Sequence, residues 1–397
     1  MRSHSTSPAI EERIILAAVT REPNRRDELG RLLAQGPNFE RLLRLAVTHG
    51  VDGLLSLALG PHLPARADPR TVDGAIKARA ELIGAANRVR VEELDQILRA
   101  FSETSILALP LKGPVAALAY HGDLRARRFG DLDVLVEKPR VDEALGVLHR
   151  MGYEQTLSNP HRIDFARNHL HALELRRRDT WVMVELHFRL SPKYFDLPMD
   201  TRILFDRARD FVSHGRTYRV LSPTDALVFL CVHGAKHAWS RLLWVADLDR
   251  LVSSQPIDWA VLKTFVEKHE AARLVRTGLA LTREILGTRL EAADEWVSAD
   301  RGARALAKQA ADRLFDRESE PGPLESQWYR ARSRDRRRTA AKDWVWFVRD
   351  ILEPTEEERS RLPEGPLQRL GYLVRPLSLL RKRLRGRRDE LGGVGHE

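Results

Sequence analysis

Asp131 and Asp133 stand two apart in the run RRFGDLDVLVEK, where apolar and acidic residues alternate. Alternation with period two marks a β-strand, so both carboxylates point to one face while Leu132, Val134 and Val136 point to the other. Two carboxylates side by side repel and raise each other's pKa, and a divalent cation removes that cost. Mg²⁺ is held by one or two carboxylates, with substrate phosphates and water completing its shell. The pair therefore reads as a metal and phosphate site, with Mg²⁺ the expected ion and Mn²⁺ the alternative. A two-metal arrangement needs a third carboxylate. Glu185 is the best candidate, because it lies in VMVELHF, an apolar strand-like run where an acid needs a partner or a metal. The competing reading leaves Glu185 facing solvent on a two-faced sheet. The acidic pair upstream favours metal ligation or general-base duty.

The surrounding pattern supplies elements to position these groups. SILALPLKG is a short apolar run ending at Gly113, read as a buried strand and a turn, and Pro114 opens the short helix PVAALAYHG. PRVDEALGVLHRMGY follows as an amphipathic helix, and HLHALELRRR and TWVMVELHFRL pair as strands about a turn near Asp179. Alternating strands and helices over residues 104–195 indicate a small α/β unit. Residues 8–103 carry apolar residues at helical spacing, broken by Pro61, Pro64 and Pro69. From Ser222 and Pro223 the pattern is helical again, as one helix through residue 252, then near 258–270, 272–287, 293–315 and 340–352.

In that first helix His233, His237, Arg241 and Trp244 share one stripe, with Lys236 and Ser240 beside it. The stripe suggests a cleft wall, where Lys236 meets a triphosphate and Trp239 or Trp244 packs a base. Interdomain packing is the plainer reading for the histidines and tryptophans. His233 and His237 have zinc-ligand spacing, but residue 234 is glycine, so a zinc protease's general-base glutamate is missing. His169, His171 and His187 are read as structural, with His187 also a partner to orient metal ligands.

LKGPVAALAYHGDLRARRFGDLDVLV resembles the signature of the nucleotidyltransferase superfamily, whose fold is that of DNA polymerase β. More narrowly, the chain resembles a bacterial group of uncharacterised nucleotidyltransferases. That group has a Leu-Lys-Gly turn, an Arg-x-x-Asp-Leu-Asp strand, a later Glu-Leu-His and a helical stretch that here is HGAKHAWSRL. The resemblance spans roughly residues 45–255. It implies an α+β fold, a small mixed-sheet catalytic domain flanked by N-terminal helices and a C-terminal helical domain. The divisions expected are residues 1–103, 104–220, 221–374 and a basic tail at 375–397, mobile at its end. It also implies that Asp131, Asp133 and Glu185 bind metal and act in catalysis. Gly113 would begin the helix that approaches the nucleotide phosphates, with Lys112 or backbone amides supplying contacts. Pro114 stands where the superfamily has a serine, so one customary hydroxyl contact is missing. Arg128 would meet a triphosphate oxygen, its alternative being a surface ion pair, and Lys236 joins the nucleotide set.

The implied reaction moves an NMP group from a nucleoside triphosphate such as ATP to an acceptor, releasing pyrophosphate. Small molecule, peptide, protein and RNA all remain open as acceptor. One alternative is a toxin–antitoxin-like transferase that modifies RNA or protein. Another is a non-catalytic nucleotide- or RNA-binding module of the same fold.

Composition sets the outer bounds. In 397 residues, 43% hydrophobic and 31% charged, two or three compact units fit. Cys231 is the sole cysteine, which excludes a disulfide framework and a cysteine-based zinc site. No apolar run reaches 18 residues and the N-terminus lacks a signal-like core, so no membrane span and a cytoplasmic location are expected. The net charge of +10 comes from arginine spread along the chain and often alternating with acids. The stretches RARSRDRRR (330–338) and RKRLRGRR (381–388) read as a phosphate-tracking surface, a solvated surface or contact with an acidic partner.

Overall fold

The computed structural model describes residues 8–64, 68, 70–157, 160–197, 199–315, 321–354 and 375. Five strands make one sheet: β1 (Ala108–Pro110), β2 (Asp131–Val136), β3 (Tyr153–Gln155), β4 (Ala172–Arg177) and β5 (Met183–His187). Their spatial order is β1-β2-β5-β4-β3. β2 and β5 run parallel and the other pairs antiparallel, so the sheet is mixed. The fold class is α+β, a mixed sheet embedded among helices.

The apolar residues of β2 and β5 divide between two cores as period two requires. Leu132, Val134 and Val136 of β2, with Val184 and Leu186 of β5, are buried in one core. Helices α3 (Val72–Glu103) and α4 (Val141–Arg150) cover that face. They contribute Val91, Leu94, Ile97 and Phe101 from the first, and Ala144, Leu145 and Leu148 from the second. Leu135 projects to the opposite face and joins a larger, mainly helical core. Ile14, Leu42 and Leu55 from the N-terminal helices meet Leu227, Val245 and Leu279 from the C-terminal ones in that core. Leu42 lies in α1 (Phe39–Thr48) and Leu55 in α2 (Asp52–Leu59).

Local chemistry fixes the element ends. The Asn38 side chain accepts the Arg41 N–H at the start of α1, and Thr71 accepts the Gly74 N–H at the start of α3. Ser222 accepts the Asp225 N–H, and Pro223 occupies the first turn of α5 (Pro223–Lys236). No helix among the described residues is long and apolar enough to cross a membrane.

Several elements differ from the sequence reading. The single helix expected over 222–252 is two, α5 and α6 (Leu242–Ser254), separated by residues 237–241. Ala238 and Trp239 have positive φ there, and the Trp239 N–H bonds the Gly234 carbonyl at 2.8 Å. The cause is packing. The Trp239 ring lies against Gly234 and Gly278, where an added Cβ would stand 2.5 Å and 2.9 Å from its carbons. Gly278 belongs to α7 (Ala272–Leu286), so the chain breaks the helix to bury a tryptophan between two others. The helix expected over 293–315 is likewise interrupted, because Asp300 caps a new start by accepting the Ala303 N–H. β3, the helix Pro160–His169 and the hairpin β6 (Arg209–Ser213) and β7 (Arg216–Val220) had no counterpart in the sequence reading.

The arginine stretch 330–338 is not simply a surface for phosphate or solvent. Arg330 and Arg334 are buried, Arg330 donating to the Lys236 carbonyl and Arg334 to Asp343. The second stretch, 381–388, lies outside the described residues.

Candidate active site

Parallel pairing sets Asp131 opposite Met183 and Asp133 opposite Glu185. Opposed residues share a face, so Glu185 joins the acidic pair. One oxygen from each of Asp131, Asp133 and Glu185 lies within 4.8 Å of the others. Asp133 is buried, while Asp131 and Glu185 are partly exposed.

Two basic groups meet this cluster. Lys112 Nζ lies 3.5 Å from Asp131 Oδ2 and 3.2 Å from Asp133 Oδ2. His187 Nε2 lies 3.1 Å from Asp133 Oδ1 and 3.2 Å from Glu185 Oε2. Burial opposes the charged form of the His187 imidazole, yet its bonds to Asp133 and Glu185 carry its pKa up to about 9. Its ring then donates to both carboxylates through Nε2 and to the Arg189 carbonyl through Nδ1, at 3.4 Å. Burial also works to raise Glu185, but His187 and Lys112 hold it down to about 2. The Lys112 ammonium is favoured above its ordinary range, burial being outweighed by Asp133, Asp131 and Glu185.

The Lys112 turn is shaped by Gly113. Its φ of +60° is the left-handed region, and an added Cβ would lie 3.4 Å from the Asp131 carbonyl oxygen. The helix begun by Pro114 continues with a π-helical turn, Ala116–Tyr120. Pro114 lacks both a hydroxyl and an N–H, so donors at this helix start must come from the following backbone amides.

The donor set suits a hard divalent ion. It offers three carboxylates, and Asp133 Oδ2 is buried without a hydrogen bond, Lys112 being an ion-pair neighbour only. A second group of metal-ligand type, His171, Glu185 and His187, also brings its atoms within 4.8 Å. In that group His171 Nε2 already receives the Lys236 ammonium at 3.3 Å, and His187 is engaged with Asp133. The carboxylate set is the better fit.

Lys236 therefore approaches the cluster through histidines: its ammonium meets His171, whose ring packs edge-on to His187 at 5.1 Å. Burial lowers the Lys236 pKa. Arg128 makes the ion pair that was the alternative to a triphosphate contact. Its Nη2 donates to the Val47 carbonyl at 3.2 Å and lies 3.4 Å from Asp52 Oδ1, so it pairs with the N-terminal helices rather than with the carboxylate cluster. Its neighbour Arg127, absent from the sequence reading, is buried and grips Asp247 of α6 with two bonds of 2.8 Å and 2.7 Å. His121 completes this buried unit by donating to Asp247 at 2.9 Å. The residues just before Asp131 are thereby tied to the helical core. The stripe histidines pack on Trp244, with ring centroids 5.5 Å away for His233 and 4.9 Å for His237. Burial and Lys236 keep His237 neutral, its pKa near 3.

A mixed sheet that aligns an Asp-x-Asp strand with a glutamate on its parallel neighbour, beside a Lys-Gly turn, has the layout of a nucleotidyltransferase. Residues 35–287 match the family model described as uncharacterised nucleotidyltransferase. The match covers more than half of the chain, which belongs to that family. No curated protein matches. Among solved structures, the chain is similar to the antibiotic-resistance factor ANT(2'')-Ia in solution, with 14% identity over 54% of this chain and 96% of that one. The TM-score is 0.28, too low to carry an argument about this molecule.

Proposed function

We propose that this nucleotidyltransferase moves an NMP group from a nucleoside triphosphate to an acceptor hydroxyl, with Asp131, Asp133 and Glu185 holding Mg²⁺ or Mn²⁺. The observation that carries the reading is the convergence of three carboxylates within 4.8 Å around a buried Asp133 oxygen without a hydrogen bond. The bound metal would neutralise phosphate charge and fix the α-phosphate for attack.

The protein's own groups then divide the remaining work. His187 bonds Asp133 and Glu185 together and holds both in orientation. Lys112, next to Asp131 and Asp133, is placed to meet the triphosphate as it enters. Gly113 keeps the turn free of a side chain, so backbone amides of the following helix can approach phosphate oxygens. Lys236 adds positive charge from behind His171. Glu185 helps to draw the proton from the acceptor hydroxyl and passes it on to water, because His187 and Lys112 hold its pKa down to about 2. The acceptor oxygen forms its bond to the α-phosphorus as the bond to pyrophosphate breaks, and pyrophosphate leaves with that electron pair.

Incubation with each α-labelled NTP, Mg²⁺ and cell extract tests the reading. Label entering RNA, protein or a small molecule identifies base and acceptor together. Failure of every NTP to label anything would count against it.

A further inference from the structure

The reading above leaves the acceptor open, and a cavity next to the carboxylates bears on it. About 700 Å³ in volume, the cavity reaches Gly130, the residue before Asp131. Arg79 and Arg90 of α3, Arg128, and Arg241 before α6 line it, with Ser240 beside them. No carboxylate lines it among the described residues. Asp52 compensates part of this charge, its carboxylate lying 2.6 Å from Arg79 and 3.4 Å from Arg128. Arg90 Nε and Ser240 Oγ are both buried without a hydrogen-bond partner. Arg90 is also near enough to Asp131 for that carboxylate to offset some of the cost of its burial.

Four guanidinium groups around one small space repel each other and attract an anion, and the planar fork of arginine fits phosphate oxygens. A volume of this size holds a small molecule. We propose that this cavity is the acceptor subsite and that the acceptor is a small molecule bearing a phosphate group, an inference that rests on the nucleotidyltransferase reading. The triphosphate belongs with the metal-holding carboxylates and the Lys112–Gly113 turn. The arginines hold the acceptor's phosphate so that its hydroxyl faces the α-phosphorus. An acceptor rich in positive charge is repelled by the same wall.

The test uses the full chain without metal, in EDTA, titrated with inorganic phosphate and followed by ³¹P NMR. Arg90→Gln is the informative variant, because Arg90's own bond is to the Ala86 carbonyl on an exposed part of the helix. Phosphate should bind the wild type, lose at least about fivefold in affinity in Arg90→Gln, and recover most of it in Arg90→Lys. With Mg²⁺ and the four NTPs added, phosphate should stay bound while α-labelled nucleotide is retained. Absence of phosphate binding, equal binding in Arg90→Gln, or displacement of phosphate by nucleotide would overturn the proposal. The last result would assign the cavity to the triphosphate tail. Failure of the wild type to transfer any NTP strikes the underlying reading and leaves the metal-free titration unaffected, so the two failures are distinguishable.

Discussion

The carboxylate face and the arginine cavity adjoin at Gly130 and Asp131, yet they are assembled in opposite ways. The first needs one strand pair: parallel register puts Asp133 opposite Glu185, and strand spacing adds Asp131. The second needs Val47, Arg79, Arg90, Arg128 and Arg241 from four separate stretches of the chain. One is acidic and partly balanced by Lys112 and His187, the other basic and partly balanced by Asp52. A site built from local periodicity announces itself in the sequence, whereas one built from tertiary convergence does not.

The largest effect should come from the acidic face. Asp131→Ala with Asp133→Ala should cut nucleotide transfer by more than about 100-fold, beyond the range for residues that only orient a ligand. Thermal unfolding of the same variant shows whether the sheet survives. If transfer falls only as far as in an arginine-cavity variant, the division of labour between the two regions is wrong.

His187→Ala should cost roughly 10–100-fold, through loss of the bonds that orient Asp133 and Glu185. A Mg²⁺ titration separates this role from simple structure, because the metal concentration for half-maximal activity should rise as kcat falls. Unchanged metal dependence would remove His187 from the site.

On the basic side, His49 gives a smaller, pH-dependent effect. Its Nδ1 accepts the Leu242 N–H at 3.4 Å, at the start of α6 beside the cavity. Burial first, then Arg241, lowers its pKa from 6.5 to about 4. The folded value lies below the unfolded one, so its contribution to stability is full above pH 6.5 and fades as pH falls through 4. Denaturant titrations between these values should show the loss in wild type and a flatter profile in His49→Asn. Equal slopes would show that His49 is not buried neutral.

What could be read in advance follows the same division. DLDVLV and VMVELHF showed two strands and which face carried acid, because alternation survives in the linear chain. The lysine before Gly113 was visible as part of a turn. Arg127 was not, because its partner Asp247 is 120 residues away and the adjacent Arg128 looks equivalent in sequence. Which of two neighbouring arginines turns inward is decided by the helix packed on them. The break between α5 and α6 was hidden for a similar reason. Neither glycine nor proline stands at 237–241, and the break arises from burying Trp239 against Gly278 of another helix. Arg330 and Arg334 sit in a stretch whose composition suggests solvent, but a carbonyl and Asp343 await them inside.

The central claim is that the acidic face transfers a nucleotidyl group. Parallel reactions with α-labelled and γ-labelled NTP test it most directly. The account predicts α-label in the acceptor, γ-label in released pyrophosphate, and neither product from the Asp131→Ala, Asp133→Ala variant. Appearance of γ-label in the acceptor, or α-label transfer that persists undiminished in the variant, would contradict it.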